Sequence, residues 1–171
     1  MGHQTKIGLE GELECARQLK ARGWDVTLLN DLRVNNPNSD FLIRKDHVLH
    51  SVQVKTSRKP KGYITGGSVN PQITAGAPIL NRVSAPVCDF VIFLATENQC
   101  WRFFIVPISD AERIFRRNIE AYWGSSRLDG QPKKQSGQTD IFVGRTAFPH
   151  SRIVPDQRDE VLPYEDRWEL L

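Results

Sequence analysis

The sequence predicts an α/β domain in three layers, a central mixed β-sheet flanked by helices. Three observations carry this. An amphipathic helical stretch opens the chain. Two short alternating runs joined by a tight polar break follow it. A run at residues 89–95, continuously apolar after its first residue, then precedes another strand-like run and a second helix.

The first helix is expected from Gly8 to Arg22, with Leu9, Leu13, Ala16 and Leu19 at the i, i+4, i+7, i+10 spacing of one apolar stripe. Gly23 follows as the stop. At about 100° per residue, Glu12 falls between Ala16 and Leu19 on the buried side, while Glu10 and Glu14 face solvent. A carboxylate on a core-facing stripe is costly unless it is paired, neutralised or bound to a metal. Pairing with a basic residue such as Lys55 is the plain alternative to a metal.

Trp24 to Leu29 reads as the first strand, and the polar stretch Asn30 to Asn38 as a loop that delivers the chain to Asp40. Ser39 to Arg44 alternates, with Phe41 and Ile43 on one side of the pleat. His50 to Lys55 alternates too, with Val52 and Val54 on one face and Gln53 and Lys55 on the other. Lys45-Asp46-His47 is a break short enough for a tight hairpin. A turn centred on Asp46 and His47 sets Asp40 opposite Gln53, and opposed side chains in an antiparallel pair have Cβ atoms roughly 4.5–5.5 Å apart. A carboxylate, an amide oxygen and an ammonium then converge on one patch. That combination suits a divalent metal beside a phosphate.

Residues 59–86 are rich in Gly, Pro, Ser and Asn and read as a long loop over the cleft, a candidate DNA-contacting flap or a plain surface insertion. Asp89 to Ala95 has, after its first residue, the continuous apolarity of a central strand covered on both faces. Trp101 to Ile108 is a further strand ended by Pro107, and Ser109 to Glu112 has capping-box character for a helix running to about Trp123. Residues 124–139 read as a polar loop, Ile141-Phe142-Val143 as an edge strand, and Tyr164 to Leu171 as a short closing segment.

Helix Gly11-Glu12-Leu13-Glu14-Cys15-Ala16, then Asp40, then Gln53-Val54-Lys55, in that order and spacing, resembles the PD-(D/E)XK nuclease superfamily, in its Holliday-junction-resolvase and restriction-endonuclease-like branches. The resemblance rests on about the first sixty residues and implies a restriction-endonuclease-like three-layer fold. It implies a metal-dependent endodeoxyribonuclease, with Asp40 as the metal-binding Asp, Gln53 in the Glu position, Lys55 as the catalytic Lys and Glu12 as the helix carboxylate. Asp40, the Gln53 side chain, the Val54 carbonyl and Glu12 would hold Mg²⁺, with Mn²⁺ as substitute. Gln53 departs from the commoner Glu: an amide oxygen still ligates a hard cation but brings no charge. Gln-x-Lys variants occur in active members of the superfamily, including a transposon-end-cleaving subunit. The proline of the family pattern is displaced to Pro37.

The chain has 171 residues, 39% hydrophobic and 25% charged, with net charge +3. This length fits one domain, with motif core 5–58, variable loop 59–86 and acidic tail 146–171. The tail holds three basic and six acidic residues, so the first 145 carry 20 − 14 = +6. Arg44, Lys45, Lys55, Arg58, Lys59 and Lys61 cluster around the proposed site, and Arg113, Arg116 and Arg117 form a second group. Arg44, Arg58, Lys59 and Lys61 are the expected DNA contacts, by phosphate neutralisation. Cys15, Cys88 and Cys100 form no Cys-x-x-Cys pair, and His3, His47, His50 and His150 show no metal-ligand spacing. P-loop, Gly-x-Gly-x-x-Gly and Gly-x-Ser-x-Gly patterns are missing. Without an apolar run of membrane-spanning length or a secretory signal, the expected location is the cytoplasm.

The expected partner is DNA, with a twofold homodimer as the natural way to cut two strands. Two rival readings stand beside catalysis: a nuclease-fold DNA-binding module that does not cut, to which Gln53 lends support, and an interaction or immunity-type protein whose motif is coincidental.

Overall fold

The structure is a computed structural model that describes residues 6–29, 39–57, 63–74, 77–84, 88–97, 99–127, 129–132, 138–143 and 158–171. In chain order the elements are α1 (Lys6–Ala21), β1 (Asp25–Leu28), β2 (Phe41–Lys45), β3 (Val48–Ser57), β4 (Tyr63–Thr74), β5 (Ala77–Ser84), β6 (Phe90–Glu97), β7 (Cys100–Pro107), α2 (Ile108–Trp123), β8 (Gln138–Phe142) and α3 (Arg158–Val161), then two 3₁₀ turns (Leu162–Tyr164 and Trp168–Leu170).

Five strands form the main sheet in the order β1-β2-β3-β6-β7, with β3 and β6 parallel and the other neighbours antiparallel. Side-chain alternation along β6 splits the core in two. Phe90, Ile92 and Leu94 pack with Cys15, Ala16 and Leu19 of α1 and with Phe41, Ile43, Val52 and Val54. Val91, Phe93 and Ala95 pack with Ala111, Ile114, Phe115 and Ile119 of α2. The central strand is thus covered on both faces, as its unbroken apolarity predicted, and the mixed sheet lies between two helical layers.

The helix phase differs from the expected one. Leu9 and Leu13 are 47% and 54% exposed, and the buried face is Gly11, Glu12, Cys15, Ala16 and Leu19. Gly11 explains the rotation: a Cβ there would lie 2.0 Å from Thr56 Oγ1, so α1 sits against β3 on its smallest residues. Gly23 does end the helix, at φ +82°, and its N–H donates to the Lys20 carbonyl.

Three further expectations change. The segment 59–86 is not a loop: β4 and β5 pair within it, and β8 joins the free side of β4 to make a second sheet, β5-β4-β8. Pro71 is tolerated because β8 pairs only with Tyr63–Ser68, which leaves one flank of β4 without a ladder at that point, next to a bulge between Val69 and Pro71. Residues 124–139 are shorter as a connection than expected, since β8 begins at Gln138 and a bridge joins Ser126 to Pro132. The capping box does not form. α2 starts at Ile108 straight from β7, Pro107 is its N-cap, and Ile108 N–H donates to the Asp89 carbonyl, so Ser109 already lies inside the first turn.

The closing segment docks. Asp166 N–H donates to the Phe103 carbonyl, Glu165 bridges Phe104, and Trp168, Leu170 and Leu171 pack on the α1-side core. This adds a short cover along β7, the edge of the sheet.

Candidate active site

The site is built where β2 enters the sheet. Every pair from Phe41↔Val52 to Lys45↔Val48 fits a two-residue turn at Asp46 and His47, with Asp46 at φ 53°. The predicted register therefore holds. Asp40 stands one residue before the ladder and is bonded to β3 on either side of Gln53. Its N–H donates to the Val52 carbonyl at 2.9 Å, and its Oδ2 accepts the Val54 N–H at 2.7 Å.

Gln53 and Lys55 alternate with Val52 and Val54, so they occupy the sheet face opposite α1. Gln53 is 6% exposed, and its Oε1 is buried without a hydrogen-bond partner. Such an orphaned acceptor costs about 1–3 kcal/mol unless something fills its coordination. A hard cation would do so, with the Asp40 carboxylate beside it.

Electrostatics tie the residues together. Burial raises the Asp40 carboxyl above its ordinary range, while the Val54 N–H and the Lys55 ammonium pull it down. Asp40 and Lys55 are therefore close enough to interact. Burial raises the Cys15 thiol, and the charges of Asp40, Glu14 and Glu12 raise it further. Glu12 is buried on α1, in the layer on the other side of the sheet, and Cys15 links it to Asp40. Asp40, Gln53 and Lys55 form the compact part of the site, and the structure does not bring the expected helix carboxylate, Glu12, to their face of the sheet. Among the described residues no group of three or more His, Cys, Asp and Glu is arranged to hold a metal ion; Gln53 stands where a further acid would complete such a group.

The expected DNA contacts fare differently. Arg44 lies four residues along β2 from Asp40, roughly 13 Å at strand rise, and pairs with Asp25 at 3.2 Å across β1. It is not brought to the site. Arg58, Lys59 and Lys61 lie outside the described residues. In the second basic group, Arg113 pairs with Asp110 and Arg117 with Glu160, while Arg116 is exposed.

Two neighbours were not singled out from the sequence. Cys88 is hydrogen-bonded to the Gln53 backbone and senses Asp40 and Lys55, and burial pushes its thiol up to about 12. Asp89 Oδ2 accepts from Ser51 N–H at 2.7 Å and Ser51 Oγ at 2.9 Å, which locks the start of β6 to β3 beside the site. Position before an apolar run was their only signal, and it reads equally well as core.

No family model matches the chain, and no curated protein does. The solved structure of a bacterial homing endonuclease, I-Ssp6803I, is similar with a TM-score of 0.54 over 99% of this chain and 93% of that one, at 16% identity. The crystal structure of MepB reaches a TM-score of 0.41 at 7% identity, over 90% of this chain and 93% of that one, too low to carry weight. Among the described residues no helix is long and apolar enough to cross a membrane. Identity of 16% speaks to architecture alone, and that architecture is a restriction-endonuclease-like α/β fold, a central mixed sheet flanked by helices.

Proposed function

We propose that this chain is a divalent-metal-dependent endonuclease that hydrolyses phosphodiester bonds in DNA. The observation that carries the reading is the buried, unpartnered Oε1 of Gln53, bracketed by the two bonds of Asp40 and two residues from Lys55. Asp40, Gln53 Oε1 and the Val54 carbonyl would hold Mg²⁺ or Mn²⁺, with Glu12 left outside that set on the α1 side of the sheet. The bound ion would polarise the scissile phosphate and lower the pKa of a water. Lys55 Nζ orients that water and offsets the negative charge that grows during attack. Asp40, fixed to β3 through its own carboxylate, keeps the acid and the amide in one geometry as the substrate arrives. A twofold homodimer would place two such sites on the two strands of a duplex.

The test is a cleavage assay with Mg²⁺ and with Mn²⁺ on duplex, single-stranded and branched DNA, run beside a DNA-affinity measurement. Lys55→Ala is expected to abolish cleavage and leave affinity nearly unchanged. Equal loss of both would reassign Lys55 to binding. Gln53 favours one second reading, a nuclease fold that binds DNA without cutting, because an amide leaves the ion with less charge to hold it. DNA affinity with no cleavage of any substrate under either metal would select that reading.

A further inference from the structure

We propose that the outer half of the β4–β5 ribbon enters the major groove of duplex DNA and reads base sequence beside the cut. This deepens the proposed nuclease function and rests on it for the cut, though not for the reading of sequence.

The ribbon is rooted at the site. β3 carries Gln53 and Lys55 and ends at Ser57, and β4 begins at Tyr63. From Tyr63 to Ser68, β4 is flanked by β8; beyond Ser68 it pairs with β5 alone. Among the described residues no third strand joins Val69–Thr74 or Ala77–Val83, so this half is a bare two-stranded ribbon. The major groove is about 12 Å wide and admits such a ribbon. Six residues of strand extend roughly 20 Å, about six base-pair steps at the spacing along one DNA strand. The ladder skips from Val69↔Val83 to Pro71↔Leu80, which sets Asn70 against Asn81 and Arg82 in a bulge. Bulges increase local twist, which helps a ribbon follow a helical groove.

Charge points to the same partner. Residues 47–88 contain no Asp or Glu, whereas an even spread of the chain's 20 acids would place about five there. The same stretch holds Lys55, Arg58, Lys59, Lys61 and Arg82. An acid-free segment of this length suits a polyanion. The outer ribbon itself carries Asn70, Gln72, Asn81 and Arg82. Amides pair in two-point fashion with adenine and guanidinium with guanine, so these residue types supply what base reading requires. The substrate class is therefore duplex DNA with a defined sequence next to the scissile bond.

The experiment selects binders from a randomised duplex library with the Lys55→Ala chain, so that lack of cleavage has no bearing on the outcome. The unaltered ribbon is expected to recover duplexes sharing a motif of several base pairs. Replacing residues 70–82 with Asn-Gly, which joins Val69 to Val83 by a two-residue turn, is expected to erase that motif while general DNA affinity persists. Arg82→Ala and Asn81→Ala, with folding checked by circular dichroism, are expected to relax one or two positions by roughly ten-fold each. A motif that survives every one of these changes, or no motif from the unaltered ribbon, overturns the proposal. So does a shortened ribbon that changes only self-association in sedimentation, which would make the ribbon a contact between copies. Failure of the wild-type chain to cleave any DNA would defeat the nuclease reading separately and leave the selection result standing.

Discussion

The Asp40 carboxylate accepts the backbone N–H of Val54 at 2.7 Å, so the acid proposed for the metal also fastens the entry of β2 to β3. Burial raises this carboxyl above its ordinary value of 3.8, against the lowering effects of the Val54 N–H and Lys55. The folded chain thus holds the Asp40 proton more tightly than the unfolded chain does. That contribution to stability is complete below the unfolded value and is lost as pH rises through the higher folded value.

Asp40→Asn keeps an oxygen for the Val54 N–H and removes the partly buried charge. In chelator, the variant is expected to melt a few degrees above wild type at neutral pH. The gap should close as pH falls below 3.8, where both chains are neutral at this position. Thermal melts across that range decide it. A gap of constant size at every pH would remove charge burial as the cause.

Gln53→Met tests the orphaned oxygen without any activity measurement. Methionine fills similar space and leaves no buried acceptor unmet, so the metal-free variant is expected to gain about 1 kcal/mol in urea unfolding. Mg²⁺ or Mn²⁺ should then raise the melting temperature of the wild type and do so less for the variant, since a ligand stabilises only the state that binds it. Equal metal shifts in the two chains would strike Gln53 from the ligand set.

The site was legible because one local feature fixed it. A two-residue turn at Asp46 and His47 sets the whole β2–β3 register, and that register carries Asp40 to Gln53. The α1 phase was misread because apolar periodicity gives weight to Leu9 and Leu13, whereas close approach to Thr56 selects Gly11 and Cys15. Small residues at a tight contact leave little hydrophobic signal. The β4–β5 ribbon was hidden by Gly66, Gly67, Pro71 and Pro78, which local propensity reads as loop. Pro71 reads otherwise only once the one-sided pairing of β4 is known, a long-range fact. The capping motif at Ser109 failed for a related reason: β7 runs directly into α2 through Pro107, and the bond from Ile108 to Asp89 places the helix start earlier.

Gly11→Ala is expected to destabilise the chain by about 1–3 kcal/mol, because the added carbon would meet Thr56 Oγ1 at 2.0 Å and Cγ2 at 2.8 Å. Thr56→Ala removes both of those atoms and leaves only Thr56 Cβ, at 2.9 Å. The double variant should therefore recover part of the loss. A double-mutant cycle by urea unfolding reads the coupling directly, and strict additivity would show that helix and strand move apart freely.

Arg102 is almost wholly buried, and its guanidinium donates to both oxygens of Glu165, at 2.6 and 2.7 Å, and to the Val143 carbonyl at 2.8 Å. It ties the closing segment and the end of β8 to β7, behind the α2-side core. Glu165→Ala leaves the charge with Glu97 at 3.6 Å and with the field of Asp166. The expected loss is about 2–4 kcal/mol, toward the lower end of what breaking a buried pair costs, because Glu97 and the Val143 carbonyl stay in place. Hydrogen exchange should show the Asp166 amide opening first, since its bond to the Phe103 carbonyl depends on this anchor. Unchanged protection there, with stability lost elsewhere, would show that the segment is held by Trp168 and Leu171 packing rather than by the ion pair.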